Sequence, residues 1–248
     1  MIDLHAHFLP GVDDGPETFE QALAMCRLAA ADGCTRVVAT PHRRRDLWPD
    51  RRRAELARLA AELDAAAGAA LSVELGAEVR VDSDLVAELD RGESEPLIPL
   101  GASRVVLLEL EPRGWGPDPV AVVRELEARG WRSLIAHVEI TPCLRSAPEL
   151  VGALAAAGAA LQVTAMSVTG ELGRAPREAA AALFDAGLVH VVASDAHRPD
   201  WRPPGLARAR AEIARRWGEE VAAAVTEINP AALLADRGAA ARARGAAR

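Results

Sequence analysis

The sequence predicts an α/β fold with a parallel sheet, closed into a barrel; a doubly wound open sheet is the structural competitor. Three observations carry this expectation. Seven short β-type runs alternate with longer amphipathic segments, the order that lays strands parallel with helices packed on them. The 248 residues suit one barrel domain. Six of the seven runs end in His, Asp or Glu, and parallel α/β folds gather their C-terminal strand ends on one rim.

The elements follow in order. "IDLH" is the first run. In a strand, residues i and i+2 share a face, so Asp3, His5 and His7 are expected on one side, with Ile2 and Leu4 on the other. A Pro-Gly turn leads to Asp13 and Asp14. "TFEQALAMCRLAAADG" reads as the first helix, capped by Thr18 or Asp14. "TRVVATP" is the second run, with His42 just behind it, and "RRRAELARLAAELDAAAG" is the next helix. "LSVELGAE" ends at Glu78, and "SRVVLLEL" carries Glu109. "PVAVVRELEARG" leads to "RSLIAHV", which carries His137, and "APELVGALAAAG" leads to "ALQVTAM". "PREAAAALFDAG" precedes "LVHVVASD", after which Asp195 and His197 repeat the i, i+2 spacing. Gly33, Gly68, Gly130, Gly158 and Gly187 close the helices where a C-terminal glycine belongs. The last twelve residues, "RGAAARARGAAR", read as a flexible tail. The expected organisation is one domain over 1–236 and a tail over 237–248.

Composition narrows the function. Half the residues are hydrophobic, and the formal net charge is -7, which argues against a general nucleic-acid binder. There is no lysine, so every basic side chain is arginine. Cys26, Cys34 and Cys143 form no CxxC pair, which points to a reducing cytoplasm. The N-terminus does not read as a signal peptide. The longest uncharged stretch, "ALAAAGAALQVTAMSVTG", is broken by Gly, Gln, Ser and Thr. It reads as helix end, turn and strand, not as a membrane span.

Imidazoles and carboxylates without thiolates suit Zn, Mn or Fe. One His at a strand end is more often a hydrogen-bonded structural residue. Five of the six histidines on one rim, with an HxH and a DxH pair, is a metal-site pattern. His190 begins a run and is expected to be structural or to support a ligand. Nine ligand-type groups exceed the needs of one ion, so two or three ions with a bridging carboxylate are expected. No cysteine has an arginine at the spacing a cysteine phosphatase needs, and no G-x-S-x-G elbow is present.

Taken together, "DLHAHFLPGVDDGP", "VVATPH", "GAEVRV", "AHVE", "LQVTAMSVTGELG", "VASDAH", "RPPGL" and "NPAALL" resemble the PHP (polymerase and histidinol phosphatase) superfamily. Within it, they resemble the bacterial manganese-dependent tyrosine phosphatases of capsule and exopolysaccharide clusters. The resemblance implies a distorted seven-stranded, TIM-like (β/α)7 barrel with a trinuclear centre. His5, His7, Glu78 and Asp195 would hold one metal. Glu78 would bridge to a second, completed by Glu109 and His137. Asp14, His42 and His197 would hold the third. Glu111 competes with Glu109, which better fits the strand end. Mn2+ is the expected ion, with Fe, Zn and Mg as alternatives. Two departures touch substrate preference. The subfamily's Arg-Tyr after "HVE" stands here as Ile140 and Thr141, and its Asn-Ala-Gly as Thr164, Ala165 and Met166.

The activity implied is phosphoester hydrolysis by metal-activated hydroxide on the phosphotyrosine-bearing tail of a tyrosine kinase. Arg202, His42 and His197 are the expected catalytic residues, and Arg202 and Arg43 the expected phosphate contacts. The other arginines of Arg43 to Arg45 and Arg51 to Arg53 fit a solvated loop and a helix face. Arg80 is a candidate partner for a rim carboxylate. Nucleic-acid binding and membrane insertion are not expected; an oligomer is open. The rivals are a phosphatase for a metabolite such as histidinol phosphate, a polymerase-associated nuclease, and a non-catalytic metal-stabilised regulator. No polymerase region is attached, which weakens the second.

Overall fold

The computed structural model describes residues 1–44, 47–91, 97–114 and 116–237. Arg45 and residues 238–248 of the expected tail lie outside that set. The strands are β1 (Ile2–Ala6), β2 (Arg36–Ala39), β3 (His42–Arg43), β4 (Ser72–Leu75), β5 (Glu78–Arg80), β6 (Val105–Glu109), β7 (Arg132–Ile135), β8 (Ala160–Thr164) and β9 (Val191–Ala193). The helices among the described residues are α1 (Phe19–Ala31), α2 (Arg53–Ala67), α3 (Leu85–Asp90), α4 (Pro119–Ala128), α5 (Pro142–Ser146), α6 (Pro148–Ala156), α7 (Ala165–Thr169), α8 (Arg174–Asp185), α9 (Ala207–Trp217), α10 (Glu219–Ala223) and α11 (Asn229–Ala235). No described helix is long and apolar enough to cross a membrane.

The protein is an α/β fold with a curled parallel sheet. Among the described residues, the seven runs of the sequence appear as nine strands in two sheets, ordered β1-β2-β4 and β3-β5-β6-β7-β8-β9. Two runs are split, and both splits have local causes. Pro41 cannot donate to a ladder, and it separates β2 from β3. Gly76 separates β4 from β5; a Cβ there would come within 2.8 Å of Val38 Cγ1 and Leu100 Cδ2. The segment after β9 returns to β1: Asp195 N donates to His5 O at 2.8 Å, and His7 N to Ala196 O at 2.7 Å.

Alternation along the strands divides the core in two. Val38, Val105, Leu107, Leu134, Ala160, Val191 and Ala193 form an inner cluster, closed by Leu233 and Leu234 of α11. Their neighbours Val37, Val106, Leu108, Ile135, Leu161 and Val192 pack in the larger cluster shared with the helices. The inner residues Leu107 and Ala193 lie two positions before Glu109 and Asp195. The period of two thus turns an apolar interior into a polar end.

β1 departs from simple alternation. Its pairing with β2 runs Asp3↔Val37 and then Ala6↔Ala39, so one residue is extra. This bulge re-aims the side chains. Leu4 packs in the inner cluster, yet His5 also points inward, 3.5 Å from Glu78 and 3.4 Å from Asp195. Asp3 does not share their site. Its Oδ1 accepts from Ser194 N at 3.1 Å and His5 N at 3.3 Å. The expectation that Asp3, His5 and His7 share a face is corrected by the bulge.

The first helix is capped by Thr18, not Asp14. Thr18 Oγ1 accepts from Gln21 N, and the Gln21 side chain accepts in return from Thr18 N, a capping box. The five helix-closing glycines all have positive φ.

Candidate metal centre

The nine expected ligands converge: Glu109 ends β6, His7, His137, Asp195 and His197 lie just past β1, β7 and β9, and His42 and Glu78 open the short strands β3 and β5 that follow the Pro41 and Gly76 breaks. Their ligand atoms fall into four overlapping groups, each within 4.8 Å: His7, Asp14, His42 and His197; His5, Glu78 and His137; His5, His7 and Asp195; His42, Glu78 and Glu109. Glu78 is central. Its Oε1 lies 2.8 Å from His137 Nε2, and its Oε2 lies 2.7 Å from His42 Nδ1 and 3.5 Å from both His5 Nε2 and His7 Nε2. Asp14 Oδ1 stands 3.6 Å from His42 Nε2 and 3.5 Å from His197 Nε2. The grouping differs from the expected one in detail. His7 joins the Asp14 group as well as the His5 group, and Glu109 groups with His42 rather than His137.

Two side chains outside the ligand set hold imidazoles in orientation. Asp13 Oδ2 accepts from His7 Nδ1 at 2.7 Å and from His42 N at 2.9 Å, while its Oδ1 accepts from Gly15 N at 3.0 Å. Gln162 Oε1 lies 3.1 Å from His5 Nδ1 and accepts from His137 N at 2.8 Å. Holding one ring nitrogen as a donor leaves the other free to ligate. Asp13 thus supports two ligands. Gln162 was missed, although a buried amide inside "ALQVTAM" was a legible signal.

The electrostatics match. Burial raises the Glu78 pKa, but His42 and His5 outweigh it and hold the carboxyl well below its usual range. Asp195 is likewise held low against burial, by His5, His7 and Arg202. Asp14 falls to about 2, as His197, His7 and His42 overcome burial. Burial lowers the His137 pKa, yet Glu78, Asp195 and Glu109 bring it up to about 9. Such imidazoles exchange protons for a cation when one binds.

The donor set fits divalent ions. His5 Nε2, His7 Nε2, Asp14 Oδ1, His42 Nδ1 and Glu78 Oε2 are buried without a hydrogen-bond partner. The close His42–Glu78 approach therefore lacks hydrogen-bond geometry. An unpaired buried polar group costs roughly 1–3 kcal/mol, and all five atoms aim into the same cluster. Cations explain them together.

The cluster floors a cleft of roughly 350 Å³, whose lining includes Leu47, Trp48, Leu110, Pro112, Ile140, Pro142 and Arg202. Arg202 contacts Asp195 Oδ2, and its Nε is buried without a partner. His137, Asp195 and Arg202 all have positive φ, a strained backbone for non-glycine residues that gathers at functional sites. Arg202→Ala is expected to raise KM or lower kcat about tenfold or more, because a phosphate clamp is lost. Metal content should hold; unchanged kinetics would remove Arg202 from the site.

Arg43 does not reach the cleft. His42 and Arg43 are adjacent on β3, so their side chains diverge. Arg43 is only 6% exposed, and its Nη2 sits 3.5 Å from Asp50. Arg44 binds Asp82 and Glu88 at 2.7 and 2.5 Å, and Arg51 binds Glu55 at 2.8 Å. Arg80 Nε donates to Glu109 Oε2 at 3.3 Å, the pairing expected of it. His190 turns to the backbone of Leu161 and Leu188. Glu111 lines a separate pocket beside Cys143. Two aromatic residues were missed. Trp48 stacks on His42 with ring centroids 5.2 Å apart, and Trp201 meets His197 edge-on at 5.4 Å.

Fold and site define an α/β protein with a curled parallel sheet and a histidine–carboxylate cluster suited to several metal ions. The model of the family "Capsular polysaccharide synthesis, CpsB/CapC" matches residues 1–235. The chain belongs to that family. It is 29% identical over 245 residues to tyrosine-protein phosphatase CpsB of Streptococcus pneumoniae, covering 96% of this chain and 99% of that protein. It is 28% identical over 230 residues to tyrosine-protein phosphatase YwqE of Bacillus subtilis, covering 92% and 89%. A solved structure from work on YwqE and CpsB, described as unique metal-dependent tyrosine phosphatases, superposes with a TM-score of 0.88 at 28% identity, covering 96% of this chain and 95% of that one.

Proposed function

We propose that the protein is a metal-dependent protein-tyrosine phosphatase that acts in the cytoplasm on the phosphotyrosine tail of a tyrosine kinase of capsule or exopolysaccharide assembly. The observation that carries this reading is the cluster of nine ligand residues with five unpartnered buried atoms beside Arg202. Likeness to phosphatases over nearly the whole chain supports it. The functional unit is one domain over 1–236, whose two sheets work as a single seven-membered barrel. His5, His7, Asp14, His42, Glu78, Glu109, His137, Asp195 and His197 hold up to three ions, with manganese preferred over Fe, Zn or Mg.

Bound divalent ions supply Lewis acidity and a lowered pKa for water at neutral pH. The chain's own residues do the rest. Asp13 and Gln162 fix the imidazoles, so little reorganisation is needed when charge builds on the phosphoryl oxygens. Arg202 orients the phosphate from one side of the cleft. His42 and His197 line that cleft and keep their ligating edges toward Asp14. The leaving phenolate has a parent pKa of about 10, so it asks less of a proton donor than an alkoxide does.

The thiols stay out of the chemistry. Burial pushes the Cys26 thiol up to about 12 and raises Cys34 and Cys143 as well, so thiolate is scarce at neutral pH. Chelation is therefore expected to abolish hydrolysis of a phosphotyrosine peptide, readdition of Mn2+ to restore it, and iodoacetamide to leave it intact. Turnover of histidinol phosphate but not of the peptide would overturn the assignment.

A further inference from the structure

The polar floor of the cleft accounts for a phosphate but not for the apolar residues around it. Leu47 and Trp48 follow β3, Leu110 and Pro112 follow β6, and Ile140 and Pro142 follow β7. In the sheet order β3-β5-β6-β7, the strand bearing Glu78 lies between the first group and the other two. The cleft thus has an apolar flank on each side of its charged centre. Leu47, 72% exposed, lines the cleft beside Trp48, so the two leave adjoining apolar surface at its mouth for a ligand to cover. Trp48 lies nearly parallel to the His42 ring, at 9°, so a flat surface is fixed at the edge of the metal cluster. At Ile140 the opposite flank is apolar.

We propose that Trp48, with Leu47, is the wall that receives the aromatic ring of an aryl phosphomonoester, and that Trp48 sets the preference for aryl over alkyl phosphates. This rests on the phosphatase reading above. A phosphate seated against Arg202 and the cluster leaves its ester group to extend between the two flanks. A planar ring gains area and stacking there; a short alkyl chain gains less. The facing apolar residues Leu110, Pro112, Ile140 and Pro142 exclude water from the other side.

The test compares kcat/KM for a phosphotyrosine peptide and for its phosphoserine counterpart, with metal content measured in parallel. Wild type, Trp48→Ala and Trp48→Phe are used as full-length, metal-reconstituted protein. In Trp48→Ala the aryl-to-alkyl ratio is expected to fall about tenfold, a magnitude typical of a lost aromatic contact. Trp48→Phe should recover most of the ratio, because a planar ring is restored. Two results would overturn the inference. One is an unchanged ratio in Trp48→Ala. The other is a parallel fall of both substrates with loss of metal, which would make Trp48 a prop for His42 alone. If metal-loaded wild type hydrolyses neither substrate, the phosphatase reading itself fails, and this inference with it.

Discussion

Glu78→Ala is expected to lose bound metal and lower turnover by about a thousandfold or more. Glu78 presents both carboxylate oxygens to four imidazoles at 2.7 to 3.5 Å, and it belongs to two of the four ligand groups. Its removal takes away the anion that the surrounding histidines hold far below its normal pKa. The imidazole cluster then lacks its central countercharge, and any ions held there would lose a carboxylate donor. Glu78→Gln separates charge from shape, since the amide fills the same volume without the anion. His5→Ala should behave alike, because His5 also joins two groups. Elemental analysis and steady-state kinetics on folded protein check this. Full metal content with normal turnover in both the Glu78 and His5 variants would sink the metal-centre assignment.

Asp13→Asn is expected to weaken metal binding about 10- to 100-fold, the usual cost of removing a carboxylate that orients a ligating histidine. Asp13 never belongs to a ligand group. It works through two of them at once, gripping the His7 ring and the His42 backbone. Burial opposes its ionisation, but His7 and His42 N–H outweigh it and keep the carboxyl below its ordinary value. The neutral amide can still fill the space while presenting a different hydrogen-bond pattern to His7. A merely structural role would show as lost stability with unchanged metal affinity. The orienting role shows as a raised apparent Kd for Mn2+, with kcat recovering toward wild type at saturating metal. An unchanged Kd would end that role for Asp13.

Much of the site was legible because its signals are local. A strand alternates with a period of two, and a parallel sheet collects its C-terminal ends. Those two rules took Glu78, Glu109, His137 and Asp195 to the same end without any structure. The Arg80–Glu109 pair followed in the same way. Arg43 could have been set apart by carrying alternation two residues past Pro41, since neighbours on a strand face opposite ways. Gln162 announced itself as a buried amide within an apolar run.

The sequence by itself determined the β/α alternation, the glycine ends of the helices and which strand runs close on His, Asp or Glu, because each depends on residues close together in the chain. Tertiary structure decided the rest. Only pairing with β2 creates the bulge that brings Leu4 and His5 inward while leaving Asp3 to bind Ser194. Only the folded Pro-Gly loop divides Asp13 and Asp14, giving one to the outer edge of His7 and the other to His42 and His197. Trp48 and Ile140, far apart in the sequence, become the flanks of one cleft. Register and loop path are set by contacts between distant segments, and no local pattern encodes them.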